Sequence, residues 1–271
     1  MSVDSLLLAF GGIVAGTFGA LLGLGGGVFL IPFLVLVLNV PMHQAIATSI
    51  VAVIATSSTG AAMNLERHMV NIRLGMLLET TTVAGAIAGG LTASMLDAAV
   101  LTKVFGILLA GIAAMMAVSG KLNTMDRATG GEKEVFAGEY YDDATKSSVL
   151  YTVRNIGPTM IISLLAGNIS GLLGLGGGIF KVPAMHLISR VPIKAATATS
   201  NFMIGVTAAA GAFIYFAEGH LDPHIAAPAA LGVLLGSFFG IRLSRILKAD
   251  VLKWVFIVVL LATSVQLITR S

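Results

Sequence analysis

The chain has 271 residues, of which 56% are hydrophobic and 11% charged. With a mean hydropathy of +0.96, it is too apolar for a soluble domain and belongs in a bilayer. A formal net charge of +3 does not point to a nucleic-acid partner, because the basic residues flank the ends of apolar runs. The absence of cysteine excludes disulfides and thiolate chemistry.

The start, Met1-Ser2-Val3-Asp4, lacks the basic region of a signal peptide, so the apolar stretch 5–22 reads as retained structure. A glycine run follows, then a short apolar piece (27–38) and three long apolar runs at 43–64, 72–96 and 98–119. Residues 121–150 form the one hydrophilic stretch. It sets Asp126, Glu132, Glu134, Glu139, Asp142 and Asp143 against Lys121, Arg127, Lys133 and Lys146, and reads as a solvated connector. The apolar pattern then returns as 158–173, a second glycine run, 179–189, and long runs at 194–216, 225–241 and 251–269. About 20 apolar residues span the hydrocarbon as a helix, so the long runs qualify and the short pieces do not. None shows the alternation of a membrane β-strand.

The two halves are copies. Leu21-Leu22-Gly23-Leu24-Gly25-Gly26-Gly27-Val28-Phe29-Leu30-Ile31-Pro32 returns 151 residues later as Leu172-Leu173-Gly174-Leu175-Gly176-Gly177-Gly178-Ile179-Phe180-Lys181-Val182-Pro183. The register holds onward: Val40-Pro41 meets Val191-Pro192, Ala47-Thr48-Ser49 meets Ala198-Thr199-Ser200, and Gly85 and Gly89 meet Gly236 and Gly240. The expected organisation is a first membrane repeat (1–120), a cytoplasmic linker (121–150) and a second repeat (151–271). Each repeat is expected to be a glycine-broken helical hairpin followed by three transmembrane helices. Irregular backbone at membrane depth is tolerated only where it is buried or lines a cavity.

Basic residues orient the halves. Arg67 and Arg73 lie between the first and second long runs, and the preceding loop Val40–Gln44 has no Lys or Arg. In the second half the corresponding loop, Glu218–His224, has none, while Arg190 and Lys194 lie before it and Arg242, Arg245, Lys248 and Lys253 crowd the loop after it. Lysine and arginine favour the cytoplasm, so equivalent loops face opposite sides and the fold expected is all-α, polytopic, with two inverted-topology repeats. Both termini then lie outside. Lys103 falls on the wrong side, near a helix end where it can snorkel.

Candidate chemistry starts at Gly25, Gly26, Gly27 and at Gly176, Gly177, Gly178. Such runs expose backbone N–H groups ahead of a helix N-terminus and make an anion nest, although Gly23/Gly27 and Gly174/Gly178 also fit close helix packing. Desolvating an anion costs several kcal/mol, and a helix end returns only about 2 kcal/mol. Hydroxyls or a cation are therefore wanted. Thr48 and Ser49, with Thr199, Ser200 and Asn201, supply the first; Lys181 supplies the second, unless it snorkels. Glu79 reads as an interfacial charge or a proton-coupling group. His220-Leu221-Asp222-Pro223-His224 lacks the spacing of a metal site, and neither a metal nor a cofactor is expected.

The doubled Gly-Leu-Leu-Gly-Leu-Gly-Gly-Gly pattern fits directly at Gly171–Gly178 and with its first glycine offset by one at Gly19–Gly27. With the proline and Ala-Thr-Ser that follow, it resembles the TauE/SafE-type sulfite exporter family. The resemblance implies an inner-membrane transporter of sulfite or small organosulfur anions such as sulfoacetate, most often outward. The expected partners are a small anion and the lipid bilayer, with a homodimer left open. An anion channel and an intramembrane enzyme are the alternatives. A doubled, inverted, glycine-broken repeat suits alternating access, and no nucleophile–base set supports an enzyme.

Overall fold

The computed structural model describes residues 5–22, 25–118, 136–142, 146–243 and 249–270. Gly23, most of the hydrophilic stretch, Arg245 and Lys248 lie outside the described residues. The first half comprises α1 (Ser5–Leu22), α2 (Gly27–Pro32), α3 (Met42–Glu66), α4 (Ile72–Ser94) and α5 (Ala98–Val118). The second comprises α6 (Ile156–Leu173), α7 (Gly178–Pro183), α8 (Ile193–Ala217), α9 (Pro223–Leu243) and α10 (Ala249–Arg270). Between them stand β1 (Gly138–Asp142) and β2 (Ser147–Tyr151). Among the described residues, six helices (α3, α4, α5, α6, α8 and α9) are long and apolar enough to cross a membrane. The architecture is all-α and polytopic.

Each glycine run breaks the chain into a hairpin. Phe33 lies against Gly11 and Gly26 against Gly19, so α2 runs back antiparallel along α1. Pro32 and Pro183 end α2 and α7 and are followed by one π-helical turn each, Phe33–Val37 and Ala184–Ile188. A proline ring crowds the carbonyl one turn earlier and supplies no N–H, and a wider turn relieves both problems. From Gly27 to Val37 the returning arm is about 16 Å long at 1.5 Å per residue, roughly half a hydrocarbon core. Asn39 and Arg190, equivalent in the duplication, both turn the chain with positive φ of 53° and 58°.

The halves interlock through glycine. The backbone of α9 presses on α1, Gly232 meeting Ala9, Gly236 meeting Ile13 and Gly240 meeting Thr17; this constant offset means that the two helices run parallel. In the same way Gly167 meets Thr82 and Gly171 meets Ala86, so α6 runs parallel to α4. Small residues let membrane helices approach backbone to backbone, where packing rather than the hydrophobic effect holds them. At the centre α3 crosses its own equivalent, α8. There Ile50 lies by Gly211, Ser57 by Gly205 and Asn201 by Gly60, so α3 and α8 are antiparallel.

The connector is only partly a solvated tether. Residues 138–142 pair antiparallel with 147–151, Tyr140 opposite Val149. Tyr140 and Tyr151 are buried, their rings 6.3 Å apart, in a cluster with Leu74, Leu78, Met185 and Val191. Burial pushes the Tyr151 hydroxyl pKa up, so this phenol stays neutral. The Asn71 Nδ2 donates to the Phe136 carbonyl (3.0 Å) and the Arg154 N–H to the Ser189 carbonyl (3.1 Å), tying the connector to α4 and to the end of the second hairpin.

Candidate functional site

The two glycine runs, 151 residues apart in sequence, meet at the middle of the fold. Gly25, Gly174, Gly176 and Gly177 hold φ of 73°, 69°, 74° and 70°, the left-handed region that side chains resist. The Ser49 hydroxyl donates to the Gly174 carbonyl across the halves at 2.9 Å. A Cβ on Gly27 would sit 2.5 Å from Ser49 Oγ and 2.9 Å from the Gly174 carbonyl oxygen, so no larger residue fits. The equivalent serine, Ser200, faces Gly178: a Cβ there would lie 3.3 Å from its Oγ. Val53 and Ile204, again equivalents, close against Gly176 from either side.

These two serines differ in one respect. Ser49 is satisfied by Gly174, whereas Ser200 is 1% exposed and its hydroxyl has no protein partner. An unmade buried hydrogen bond costs about 1–3 kcal/mol, so such a group marks where water or a ligand is received. Thr48 is likewise fully buried with an unpartnered hydroxyl. Thr199 and Asn201 do not join the glycine runs. The Thr199 hydroxyl accepts the Asn71 N–H (3.0 Å) and so anchors the start of α4, and Asn201 lies by Gly60 in a surface groove with Asn64 and Met69. Successive helix residues turn by about 100°, so three neighbours cannot share one face.

Lys181 does not snorkel. It is fully buried, its stem passing Gly177, where a Cβ would be 3.2 Å from Lys181 Cε. The ammonium donates to Thr207 Oγ1 (2.9 Å) and lies 3.8 Å from Glu79 Oε2. Thr207 in turn donates to Glu79 Oε1 at 2.5 Å. Glu79, 6% exposed, is therefore not an interfacial charge but the counter-ion of Lys181, reached from the other half. One Glu79 oxygen, Oε2, lacks a hydrogen-bond partner. Thr207 escapes a sequence reading because a threonine in a long helix usually bonds its own backbone, and this one also lies 3.1 Å from the Met203 carbonyl. Two opposite charges within apolar runs were the available signal for the pair.

The histidine loop belongs to the far end of the bundle. His220 stacks on His43 with centroids 4.9 Å apart and lies 3.8 Å from Glu218, and the His224 N–H donates to Asp222 Oδ1 at the start of α9. Among the described residues no three His, Asp or Glu side chains are grouped to hold a metal. A cavity of ≈ 330 Å³ beside the first hairpin is walled mainly by apolar side chains, Phe10, Phe18, Phe29 and Phe33 among them, with no cation among the described residues that line it.

The sequence matches the family described as sulfite exporter TauE/SafE over residues 8–267. It is 27% identical to the probable membrane transporter protein YunE of Bacillus subtilis (strain 168), across 97% of this chain and 97% of that protein. It is 30% identical to a probable membrane transporter protein of Xylella fastidiosa (strain Temecula1), across 100% of this chain and 98% of the relative. Part of MamO of Magnetospirillum gryphiswaldense, also described as a probable membrane transporter, is 25% identical, the match taking in 45% of that longer protein. No solved structure matches.

Proposed function

Because the chain belongs to the sulfite exporter TauE/SafE family, we propose that this multi-pass membrane transporter carries small sulfur-containing anions outward across the inner (plasma) membrane. Sulfite, sulfoacetate and related organosulfonates are the substrates, and the mechanism is alternating access. The halves form an inverted-topology repeat, a reading supported by the antiparallel crossing of the equivalent helices α3 and α8. The linker is cytoplasmic, a reading supported by its docked hairpin lying at the end of the bundle that carries Arg73, Arg154 and Arg190, since positive charge favours the inside.

The anion is held between Gly25–Gly27 and Gly176–Gly178, with Ser200 as the hydroxyl donor and Ser49 fixing the second run through its bond to the Gly174 carbonyl. The observation that carries this reading is the buried, unpartnered Ser200 hydroxyl facing Gly178. Val53 and Ile204 close the site and part when it opens to either side. Counterflow in proteoliposomes tests it. Internal sulfite or sulfoacetate should accelerate exchange of the labelled anion in the wild type and much less in Ser200→Ala. Flux without trans-stimulation would mean a channel instead, since only a carrier must return loaded or empty.

A further inference from the structure

We propose that Glu79, Thr207 and Lys181 form a proton-binding site coupled to the anion site, so that uptake of a monoanion by the protein is accompanied by one proton on Glu79. The inference rests on the preceding assignment of the anion to the glycine runs.

The argument is one of charge conservation in a medium of low dielectric. With no anion bound, the Glu79 carboxylate and the Lys181 ammonium sum to zero, bridged by Thr207 at 2.5 and 2.9 Å. Adding an anion beside them would leave a net buried charge, which costs several kcal/mol. Protonating Glu79 removes that charge. The ammonium, freed from its partner, then balances the anion, and the site is neutral in both states.

The geometry permits the exchange. Lys181 is flexible, and its stem already lies on Gly177, within the run that receives the anion. Glu79 Oε2 has no hydrogen-bond partner and is the open position for a proton. Thr207 has a hydroxyl that accepts from Lys181 and donates to Glu79, so it holds the two charges together while the carboxylate is ionised.

No other described charge competes. Of the helices packed on α4, α6 has no titratable residue, and α8 has Lys194 and Tyr215. Those lie about 20 Å and about 12 Å along the helix from Thr207, at 1.5 Å per residue. Tyr215 is turned to the Leu172 carbonyl. On α4 itself Arg73 is nearly two turns away, and the docked hairpin presents the neutral Tyr140 and Tyr151 to Leu74 and Leu78. The site also spans the duplication, with Glu79 from one half and Lys181 and Thr207 from the other.

The test uses full-length purified protein and isethionate, a monoanionic sulfonate whose charge is fixed between about pH 5 and pH 9. Binding that takes up one proton makes Kd flat at low pH and about tenfold weaker per pH unit above the apparent pKa of Glu79. In parallel, adding isethionate should raise the infrared carbonyl band of a protonated carboxylic acid. In Glu79→Gln the band should vanish and binding should lose its pH dependence, holding the affinity of the wild type at low pH. Should that variant fold poorly, Glu79→Gln with Lys181→Met leaves no unpaired charge and is expected to bind weakly at every pH. A wild-type Kd independent of pH, with no change in the band, would mean a fixed structural ion pair and overturn the proposal while sparing the transport reading. If isethionate, sulfite and sulfoacetate all fail to bind, the substrate reading falls, and pH titration of the band decides the proton site alone: no titrating carboxyl ends it.

Discussion

The two glycine hairpins share a backbone plan and differ in what fills it. In the first, position 30 is a leucine, fully buried among apolar neighbours; in the second, the equivalent position 181 is a buried lysine. Around that lysine the polar groups accumulate on one side of the pseudo-symmetry. Glu79 stands where the duplicated copy has Ala230, Ser163 where it has Gly12, and Ser170 where it has Gly19. Among the described residues, three of the four unpartnered buried oxygens belong to this side: Glu79 Oε2, Ser163 Oγ and Ser200 Oγ. Even the backbone differs, Gly26 being right-handed (φ −65°) and Gly177 left-handed (φ 70°). A duplicated fold has thus kept one arm as an apolar strut and turned the other into a polar, ionisable one. Sites that cost stability in this way are where function is looked for.

The comparison is most strongly tested at its charged position. Lys181→Met leaves Glu79 buried and unpaired and should cost about 3–5 kcal/mol, whereas Leu30→Met should cost less than about 1.5 kcal/mol. Thermal unfolding in detergent measures both, and adding Glu79→Gln to Lys181→Met should restore most of the loss. Equal effects at positions 30 and 181 would remove the distinction between the arms.

Threonine gives the next contrast. Thr207→Val strips a charged pair of its bridge and should destabilise by about 1.5–3 kcal/mol. At the equivalent position, Thr56 bonds only the carbonyls of Ala52 and Val53, so Thr56→Val should change stability by under about 0.5 kcal/mol. The same unfolding assay decides this, and a large loss at Thr56 would contradict it.

Alanine at the glycines probes the backbone. Gly177→Ala forces a left-handed residue whose Cβ is 3.0 Å from the Ala166 carbonyl, an expected cost of about 1–2 kcal/mol. Gly26→Ala keeps an ordinary conformation and is tight only against a Val233 methyl at 3.0 Å, with the Ala15 carbonyl at an ordinary 3.5 Å, so it should cost less and leave counterflow faster than Gly177→Ala does. Matching behaviour would mean that the two runs are interchangeable.

The smallest effect separates the serines. Ser49→Ala should lower stability by about 0.5–1.5 kcal/mol through the lost bond to Gly174. Ser200→Ala loses no protein bond, so stability should hold while anion affinity falls about tenfold, the worth of one hydrogen bond of about 1.4 kcal/mol. Calorimetry beside anion titration tells the two apart, and unaltered affinity in Ser200→Ala would withdraw this hydroxyl from the site.

Much of the architecture was legible in the sequence because bilayer physics leaves so few choices. Apolar runs of spanning length become helices, and the boundaries at Met42–Glu66, Ile72–Ser94 and Ile193–Ala217 fall within a few residues of the runs themselves. The arrangement of the candidate residues was legible in parts. Gly27, Ser49 and Gly174 meet across the halves and Gly178 faces Ser200, while Gly26 packs on Ala15 and Val233, Gly177 on Ala166 and Ser170, and Thr199 and Asn201 turn to other faces of the same helix. The connector was read by its charge alone, and its docked tyrosines were missed because a two-stranded ribbon owes its stability to the surface it covers.

By itself the sequence determined the duplication, the membrane setting, the glycine breaks and the family resemblance, since each is written in local composition or in repetition at a fixed offset. Only the tertiary structure decided which residues are neighbours. Lys181 could be read as a snorkelling cation or an anion ligand until Glu79, 102 positions earlier in the chain, was seen 3.8 Å away with Thr207 between them. The reason is that a buried charge takes its meaning from its nearest partner, and in a chain whose halves interlock that partner comes from the other half.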